Sequence, residues 1–169
     1  MKKYIMPIFA VLCILCLCSC TQKAPVSETV GDASQAETLT DKLLREIEGE
    51  YFEKQAEPQY TTTAGMVKLS VEYASKWEAV AEEYYAKILE WLSKNSPEVQ
   101  AAFEKKLSEL KETYAAYAEA KTEVYTEAYQ ILYGGGSIRG PLSAHRAYDI
   151  KKDFALELAE LYEILTFDR

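Results

Sequence analysis

Few residues of this chain have the types and spacing that metal binding needs. The only histidine is His145, and the residue three positions before it is Leu142, so the Glu-x-x-His pair of a di-iron bundle is absent. Glutamates alone, such as Glu82, Glu83 or Glu119, suit a hard cation, but acidic residues are also typical of a solvated helix face. The sequence therefore predicts no metal site and no cofactor.

Ser137 lies in a glycine run, which invites comparison with the Gly-x-Ser-x-Gly turn of serine hydrolases. Residues 135–139 read Gly-Gly-Ser-Ile-Arg, so the last glycine of that turn is missing, and the segment before the run has a helical rather than a strand pattern. Ser137 and His145 could meet across the loop, but an orienting acid and an oxyanion hole would still be needed. We predict no catalytic residue and no enzymatic activity.

The same glycine run is the best candidate for contact with a partner. Consecutive glycine amides ahead of a helix can hold an anion or a carboxylate of another protein. The residues of this candidate partner-contact loop are Gly134, Gly135, Gly136, Ser137, Arg139 and His145. The alternative is a helix stop followed by a wide loop, since the Gly-Lys-Ser/Thr motif of a phosphate cradle is absent.

The longest element that positions this loop is predicted over Ser96–Tyr133. It has no Gly or Pro after Pro97, and its apolar residues recur at steps of three and four, which predicts a helix about 57 Å long with one buried face. Ser96 is expected to cap this helix, and the glycines at 134–136 allow a left-handed exit. We expect the other helices to be organised around it. Its predicted buried face consists of Val99, Phe103, Leu107, Leu110, Tyr114, Tyr117, Val124, Ala128 and Ile131.

Three other segments have helical periodicity. Ala64–Lys94 and Leu142–Leu165 predict long helices, and Leu39–Gln55 predicts a short one that Thr38 or Thr40 can cap. The turn before Pro97 is too short for any arrangement other than an antiparallel one. The predicted fold class is all-α: an antiparallel bundle of three long helices with a short N-terminal helix as candidate fourth member, and a Gly-rich loop, residues 134–141, before the last helix.

The first 19 residues have the pattern of a lipoprotein signal peptide. Two lysines precede the apolar run Tyr4–Cys18, which is too short to span a bilayer. The run ends in Leu-Cys-Ser-Cys, which resembles the lipobox of bacterial lipoproteins and implies cleavage before Cys20 and lipidation of its sulfur. Residues 20–38 lack apolar periodicity and predict a flexible, lipidated tether. Residues 39–169 are the predicted helical domain, with its core in residues 64–167.

Cysteine usage and charge narrow the classes of function. All four cysteines lie in the leader or at its end, so the mature domain has no disulfide framework. The net charge of −8 becomes more negative when Lys2 and Lys3 leave with the leader. This charge disfavours nucleic acid and anionic headgroups, and it favours a basic partner or plain solubility. We expect a lipid-anchored protein of the bacterial cell envelope, on the periplasmic face of the outer membrane or at the cell surface.

The order of features over Met66–Leu165 resembles the LprI-type lysozyme-inhibitor domain of bacterial envelope proteins. The resemblance rests on the aromatic stretch 110–120, the loop Gly134-Gly135-Gly136-Ser137 and the final helix, residues 144–161. It implies a periplasmic or surface binding protein with lysozyme as the suggested partner. This chain would be a divergent member: Tyr114 replaces the usual Trp, and the family's common cysteines fall near Thr122 and Ile150.

Three functions remain open at this stage. The first is a lipid-anchored binding protein for a basic envelope protein, with lysozyme as candidate. The second is a structural or adaptor lipoprotein that pairs through its helices with another envelope component or with itself. The third is a carrier of a small ligand in a tyrosine-lined gap. Lys121, which interrupts the apolar face of the longest helix, could set register in an oligomer or extend its charge to water; we favour the second role.

Overall fold

The computed structural model describes residues 37–134 and 136–167, and every regular element among them is helical. The prediction of an all-α fold is therefore confirmed. The chain divides into two units, Met1–Gln35 and Ala36–Arg169, and the described residues belong to the second. The predicted leader, Cys20 and most of the predicted tether lie outside the described residues, as does Gly135.

The helices follow the sequence pattern closely. Their order is α1 (Leu39–Leu43), a π-helical turn (Leu44–Glu48), α2 (Gly49–Gln55), a 3₁₀ turn (Pro58–Tyr60), α3 (Thr63–Asn95), α4 (Pro97–Tyr133) and α5 (Arg139–Thr166). The first three elements continue into one another, so we call them together the N-terminal helix. Its first turn is capped by Thr38, whose Oγ1 accepts a hydrogen bond from the amide of Asp41 at 3.1 Å.

Two details at the helix ends differ from the prediction. The side chain of Ser96 makes no capping hydrogen bond; α4 starts on Pro97, whose missing amide needs no partner in a first turn. The last helix begins at Arg139 rather than at Leu142, because Gly140 and Pro141 are tolerated where amides have no intrahelical acceptor. The loop between α4 and α5 is therefore shorter than the predicted 134–141, and Arg139 belongs to the helix.

The three long helices run up, down and up. Glu78 and Lys151 pair at 2.7 Å between α3 and α5, and further along both helices the rings of Tyr84 and Tyr162 meet at 5.7 Å. Because later residues of α3 contact later residues of α5, these two helices are parallel. Helix α4 is antiparallel to α5, since Tyr114 bonds to Ile150 while a residue later in α4, Thr126, bonds to an earlier residue of α5.

The N-terminal helix and α4 lie on opposite sides of the α3–α5 pair. On α5, His145, Tyr148 and Lys152 meet the N-terminal helix. The residues that meet α4, among them Arg146 and Phe154, occupy the opposite face at 3.6 residues per turn. The N-terminal helix is thus an integral fourth member of the bundle.

The core lies between α3, α5 and the N-terminal helix. Its largest fully buried side chains are Trp77, Tyr73, Tyr148, Leu69, Ile88, Leu92, Ile150 and Leu158. The ring of Tyr51, from the N-terminal helix, stacks on Tyr148 with centroids 4.6 Å apart. Burial of aromatic rings of this size supplies much of the free energy of folding in small helical domains.

The bundle is organised around α3, and the prediction that α4 would be its centre is wrong. Ten residues of α3 are buried, whereas Leu107 is the only fully buried residue of α4. The reason is a drift in register: a seven-residue repeat rotates by about 20° per heptad on a straight helix. Along the repeat Leu110, Tyr117, Val124 and Ile131, side-chain exposure rises from 42% through 51% and 66% to 83%.

Candidate functional site

A groove of about 640 Å³ lies between α4 and α5, in the half of the bundle nearer the glycine loop. Its lining residues are Ala118, Glu119, Thr122, Glu123, Thr126 and Glu127 of α4 and Ala147, Ile150 and Lys151 of α5. We call this feature the α4–α5 groove. It has no aromatic lining residue, unlike the tyrosine-lined gap that a small-ligand carrier was expected to have.

The groove exists because large and small residues alternate along the α4–α5 contact. At one end the rings of Tyr114 and Phe154 stack with centroids 4.3 Å apart. Towards the other end the guanidinium of Arg146 lies 4.2 Å from the centre of the Tyr125 ring. These bulky contacts set the distance between the helices, and the small side chains of the α4 wall, such as Ala118, are too short to fill the space that remains.

A three-fold repeat in the sequence builds the α4 wall. A small residue followed by glutamate occurs at Ala118-Glu119, Thr122-Glu123 and Thr126-Glu127, four residues apart each time. Positions four apart lie one above the other on a helix. The small residues therefore form the wall of the groove, and the glutamates form its rim.

The rim carries a negative charge that the described residues do not neutralise. Among residues 37–134 and 136–167, Glu119, Glu123 and Glu127 take part in no ion pair, and the only lysine of the lining, Lys151, is bound by Glu78 at 2.7 Å. Like charges four residues apart on a helix destabilise it by about 0.2–0.5 kcal/mol per pair. The isolated domain thus keeps two repulsive pairs that a bound cation would relieve.

The floor of the groove is apolar and extends towards α3. Ile150 is 1% exposed and lies beside Ala147, one turn earlier on α5. A second cavity of about 160 Å³ shares Ala118 and Ile150 with the groove and reaches Phe154 and the ion pair between Lys111 and Glu82. Lys151 lines both cavities as well, and its ion-pair partner Glu78 lines the second.

The glycine loop lies at one end of the bundle, as the sequence predicts. Gly134 has φ +60° and ψ −141°, a positive-φ conformation that glycine adopts readily, although it is not the left-handed helical one that was expected; the amide of Gly136 donates to the carbonyl of Tyr133 at 3.2 Å. Ser137 is exposed. The guanidinium of Arg139 donates to the side-chain carbonyl of Gln130, so this residue ties α5 to α4 rather than extending into the loop.

His145 lies in the second turn of α5, against the N-terminal helix. Its Nδ1 is 3.1 Å from the hydroxyl of Tyr51, and its Nε2 is 3.8 Å from a carboxylate oxygen of Asp149. The ring also stacks on Tyr148. The contacts of His145 therefore join it to the aromatic core, and none of those described joins it to Ser137.

The other residues considered for metal chemistry are separated. Glu82 is bound to Lys111 and Glu83 to Lys87, while Glu119 lies on the groove rim. Within the described ranges, no three His, Cys, Asp or Glu side chains come together in a way that could hold a metal ion. Nor does any described helix combine the length and the hydropathy that crossing a membrane requires.

The chain matches no family model, no curated protein and no solved structure. The resemblance to the LprI-type domain therefore stays a prediction. Thr122 and Ile150, the positions near which that family commonly has cysteines, both line the α4–α5 groove.

Sequence reasoning missed the groove. The small-residue–glutamate repeat of residues 118–127 lies outside the apolar pattern that predicts the buried face, and of its residues only Glu119 was considered, as a hard-cation ligand or part of a solvated face. Val124 and Ile131, predicted for the buried face, are exposed, whereas the neighbouring Tyr125 and Tyr129 contact Arg146 of α5. A groove between helices forms where large side chains are missing from the contact face, and a pattern of apolar residues does not show where they are missing.

Proposed function

We propose that this protein is a lipid-anchored binding protein of the bacterial cell envelope, which holds a basic partner protein and catalyses no reaction. The observation that carries the proposal is the α4–α5 groove, an apolar concave surface whose carboxylates have no cationic partner in the described domain. Concave apolar surfaces with a few polar groups at the edge are the usual form of a binding site.

The direction of the helices supports a division between an anchored end and a binding end. The described chain starts beside the C-terminal end of α5, where the amide of Leu39 donates to Glu163 at 3.3 Å. The groove lies at Ala147, sixteen residues earlier in α5, which corresponds to about 24 Å along the helix. A partner bound there would be held away from the end at which the tether of residues 20–38 joins the domain.

Lipidation of Cys20 is tested by labelling. Cells that express the full chain are grown with an alkyne analogue of palmitate, and the purified protein is conjugated to a dye. The account requires labelled protein whose N terminus is Cys20, and a Cys20→Ser variant that takes up no label. An unlabelled protein that keeps its first 19 residues would remove both the anchor and the envelope location.

Lysozyme is the partner that the resemblance suggests, and its strongly basic surface suits the acidic rim. Electrostatic steering of this kind weakens as salt screens the charges. The test is the rate of cell-wall lysis by lysozyme in the presence of the full chain, at low and at physiological ionic strength. The proposal requires inhibition that is stronger at low salt; unchanged lysis at micromolar protein would exclude lysozyme as the partner.

A second function, that of a structural adaptor, is favoured by one specific observation. Leu110, Tyr117, Val124 and Ile131 form an exposed apolar stripe along α4 at the seven-residue spacing of a coiled coil. Lys121 lies beside this stripe with its ammonium 5.0 Å from the Tyr117 ring, within reach of water. Light scattering distinguishes the two functions: a dimer that Val124→Ser with Ile131→Ser dissociates would support the adaptor, and a monomer would exclude self-association.

A further inference from the structure

The glutamates on the rim of the α4–α5 groove form an evenly spaced row rather than a scattered acidic surface. Glu119, Glu123 and Glu127 are four residues apart, so their positions repeat about every 6 Å along α4. The apolar floor of Ala147 and Ile150 runs directly beside them. The groove therefore offers charges at this repeat distance beside a short apolar floor.

The spacing of every fourth residue on a helix of a partner protein equals the spacing of these glutamates. Lysine or arginine at every fourth residue of such a segment also repeats about every 6 Å, whereas successive side chains on one face of a strand repeat about every 6.6 Å and twist away. Short apolar side chains next to the cations would contact Ala118 and Ala147, the partly exposed apolar residues of the lining. A volume of about 640 Å³ suffices for a few such side chains but not for a whole helix, so the segment would lie on the groove.

We propose that the α4–α5 groove binds a basic amphipathic helix of a partner protein, with three cations four residues apart on Glu119, Glu123 and Glu127 and apolar side chains on Ala118 and Ala147. The inference rests on the proposed binding function and specifies its surface and the chemistry of its partner. Binding relieves the repulsion between glutamates four residues apart, which the free domain retains.

The test uses a fluorescein-labelled helical peptide with three lysines four residues apart and a leucine beside each lysine. A peptide of the same composition in scrambled order is the control ligand. Fluorescence anisotropy is measured with the full chain in a non-ionic detergent. The patterned peptide should bind, and its affinity should fall steeply from about 0.1 M to about 1 M salt, over which the Debye length shrinks from about 10 Å to about 3 Å.

Two protein variants locate the binding surface. Glu119→Gln/Glu123→Gln/Glu127→Gln removes the rim charge without changing side-chain size, and Ala147→Phe fills the floor. The matched control, Glu53→Gln/Glu104→Gln/Glu160→Gln, removes the same charge from exposed glutamates elsewhere. The rim variant should weaken binding about tenfold because it loses three partly exposed ion pairs, and Ala147→Phe should weaken it by a similar factor because the floor is blocked. The control should weaken binding less than about twofold. Circular dichroism confirms that each variant remains helical.

Each outcome decides the inference separately from the proposed function. Equal losses in the rim variant and the control variant would show diffuse attraction and overturn the groove inference. Equal binding of patterned and scrambled peptides would overturn it too. If the wild-type chain and the rim variant inhibit lysozyme equally, the binding function stands and the groove is the wrong surface. If the patterned peptide binds at the groove but lysozyme does not bind, the groove inference stands with another partner.

Discussion

The hydroxyl of Tyr114 donates a hydrogen bond to the main-chain carbonyl of Ile150, with the two oxygens 2.8 Å apart. Tyr114 is on α4, and Ile150 forms part of the groove floor on α5. The same tyrosine stacks its ring on Phe154. One residue therefore holds α4 against α5 and at the same time keeps the helices far enough apart for the groove to exist beside it.

Removing that hydroxyl should loosen the α4–α5 contact without collapsing it. Tyr114→Phe keeps the ring stack but loses a hydrogen bond, which should lower the free energy of unfolding by about 0.5–1.5 kcal/mol. Tyr117→Phe is the control, because Tyr117 is exposed and has no hydrogen bond to α5. Urea unfolding of both variants measures the difference. If the two substitutions have the same effect, the Tyr114 hydroxyl does not connect the helices.

The same tyrosine should make the fold sensitive to alkali. Burial raises the pKa of Tyr114 above the usual 10.0, so the folded protein keeps a proton that the unfolded chain releases. The resulting stabilisation is complete below about pH 10 and is lost as the pH rises further. Burial raises the pKa of Tyr148 to about 12, which adds to the effect. Between about pH 9 and about pH 11, which brackets the usual tyrosine pKa of 10.0, Tyr114→Phe should lose less stability than wild type in urea titrations.

Two glycines should respond in opposite ways to the same substitution. A Cβ on Gly65 would lie 2.1 Å from the carbonyl oxygen of Gln59, whereas a Cβ on Gly49 would meet no atom within 4 Å. Gly65→Ala should therefore displace the 3₁₀ turn from α3 and lower the melting temperature. Gly49→Ala should raise stability by about 0.4–1 kcal/mol, since alanine restricts the unfolded chain and favours a helix. Thermal unfolding followed by circular dichroism compares them, and a stabilised Gly65→Ala would contradict the packing described here.

The contrast between α3 and α4 predicts very different costs for losing a large side chain. Trp77, in the middle of α3, is fully buried, so Trp77→Ala should cost about 3–5 kcal/mol. Ile131, near the end of α4, is the most exposed residue of its stripe, so Ile131→Ala should change stability by less than about 0.5 kcal/mol. Comparable costs in equilibrium unfolding would mean that α4 is packed as the sequence suggested.

The helices themselves could be read from the sequence because their ends have local causes. Thr38, one of the two predicted caps, caps the first helix, Pro97 begins α4 as predicted, and α4 ends at the glycine run. On α3 most of the apolar residues at helical spacing are buried, among them Leu69, Tyr73 and Trp77, although Met66 of the same stripe is exposed. In each case a short stretch of chain contains the physical reason.

The relative roles of the helices could not be read in the same way. α4 has the longest uninterrupted pattern, but length says nothing about how many neighbours a helix has. The slow rotation of its apolar repeat takes Val124 and Ile131 off the contact face, and this becomes visible only when the direction of α5 is known. His145 was grouped with the loop by sequence distance, whereas its contacts with Tyr51 come from a helix far away in the chain.

The central claim is that the acidic groove binds a basic protein, and calorimetric titration of lysozyme into the full chain tests it most directly. The account predicts saturable binding at about 0.1 M salt, weaker binding at about 1 M salt, and an affinity reduced about tenfold by Glu119→Gln/Glu123→Gln/Glu127→Gln but not by the matched control substitutions. Binding that is indifferent to salt and equally strong in the rim variant would contradict it, whereas the absence of any binding heat at low salt would exclude lysozyme as the basic protein.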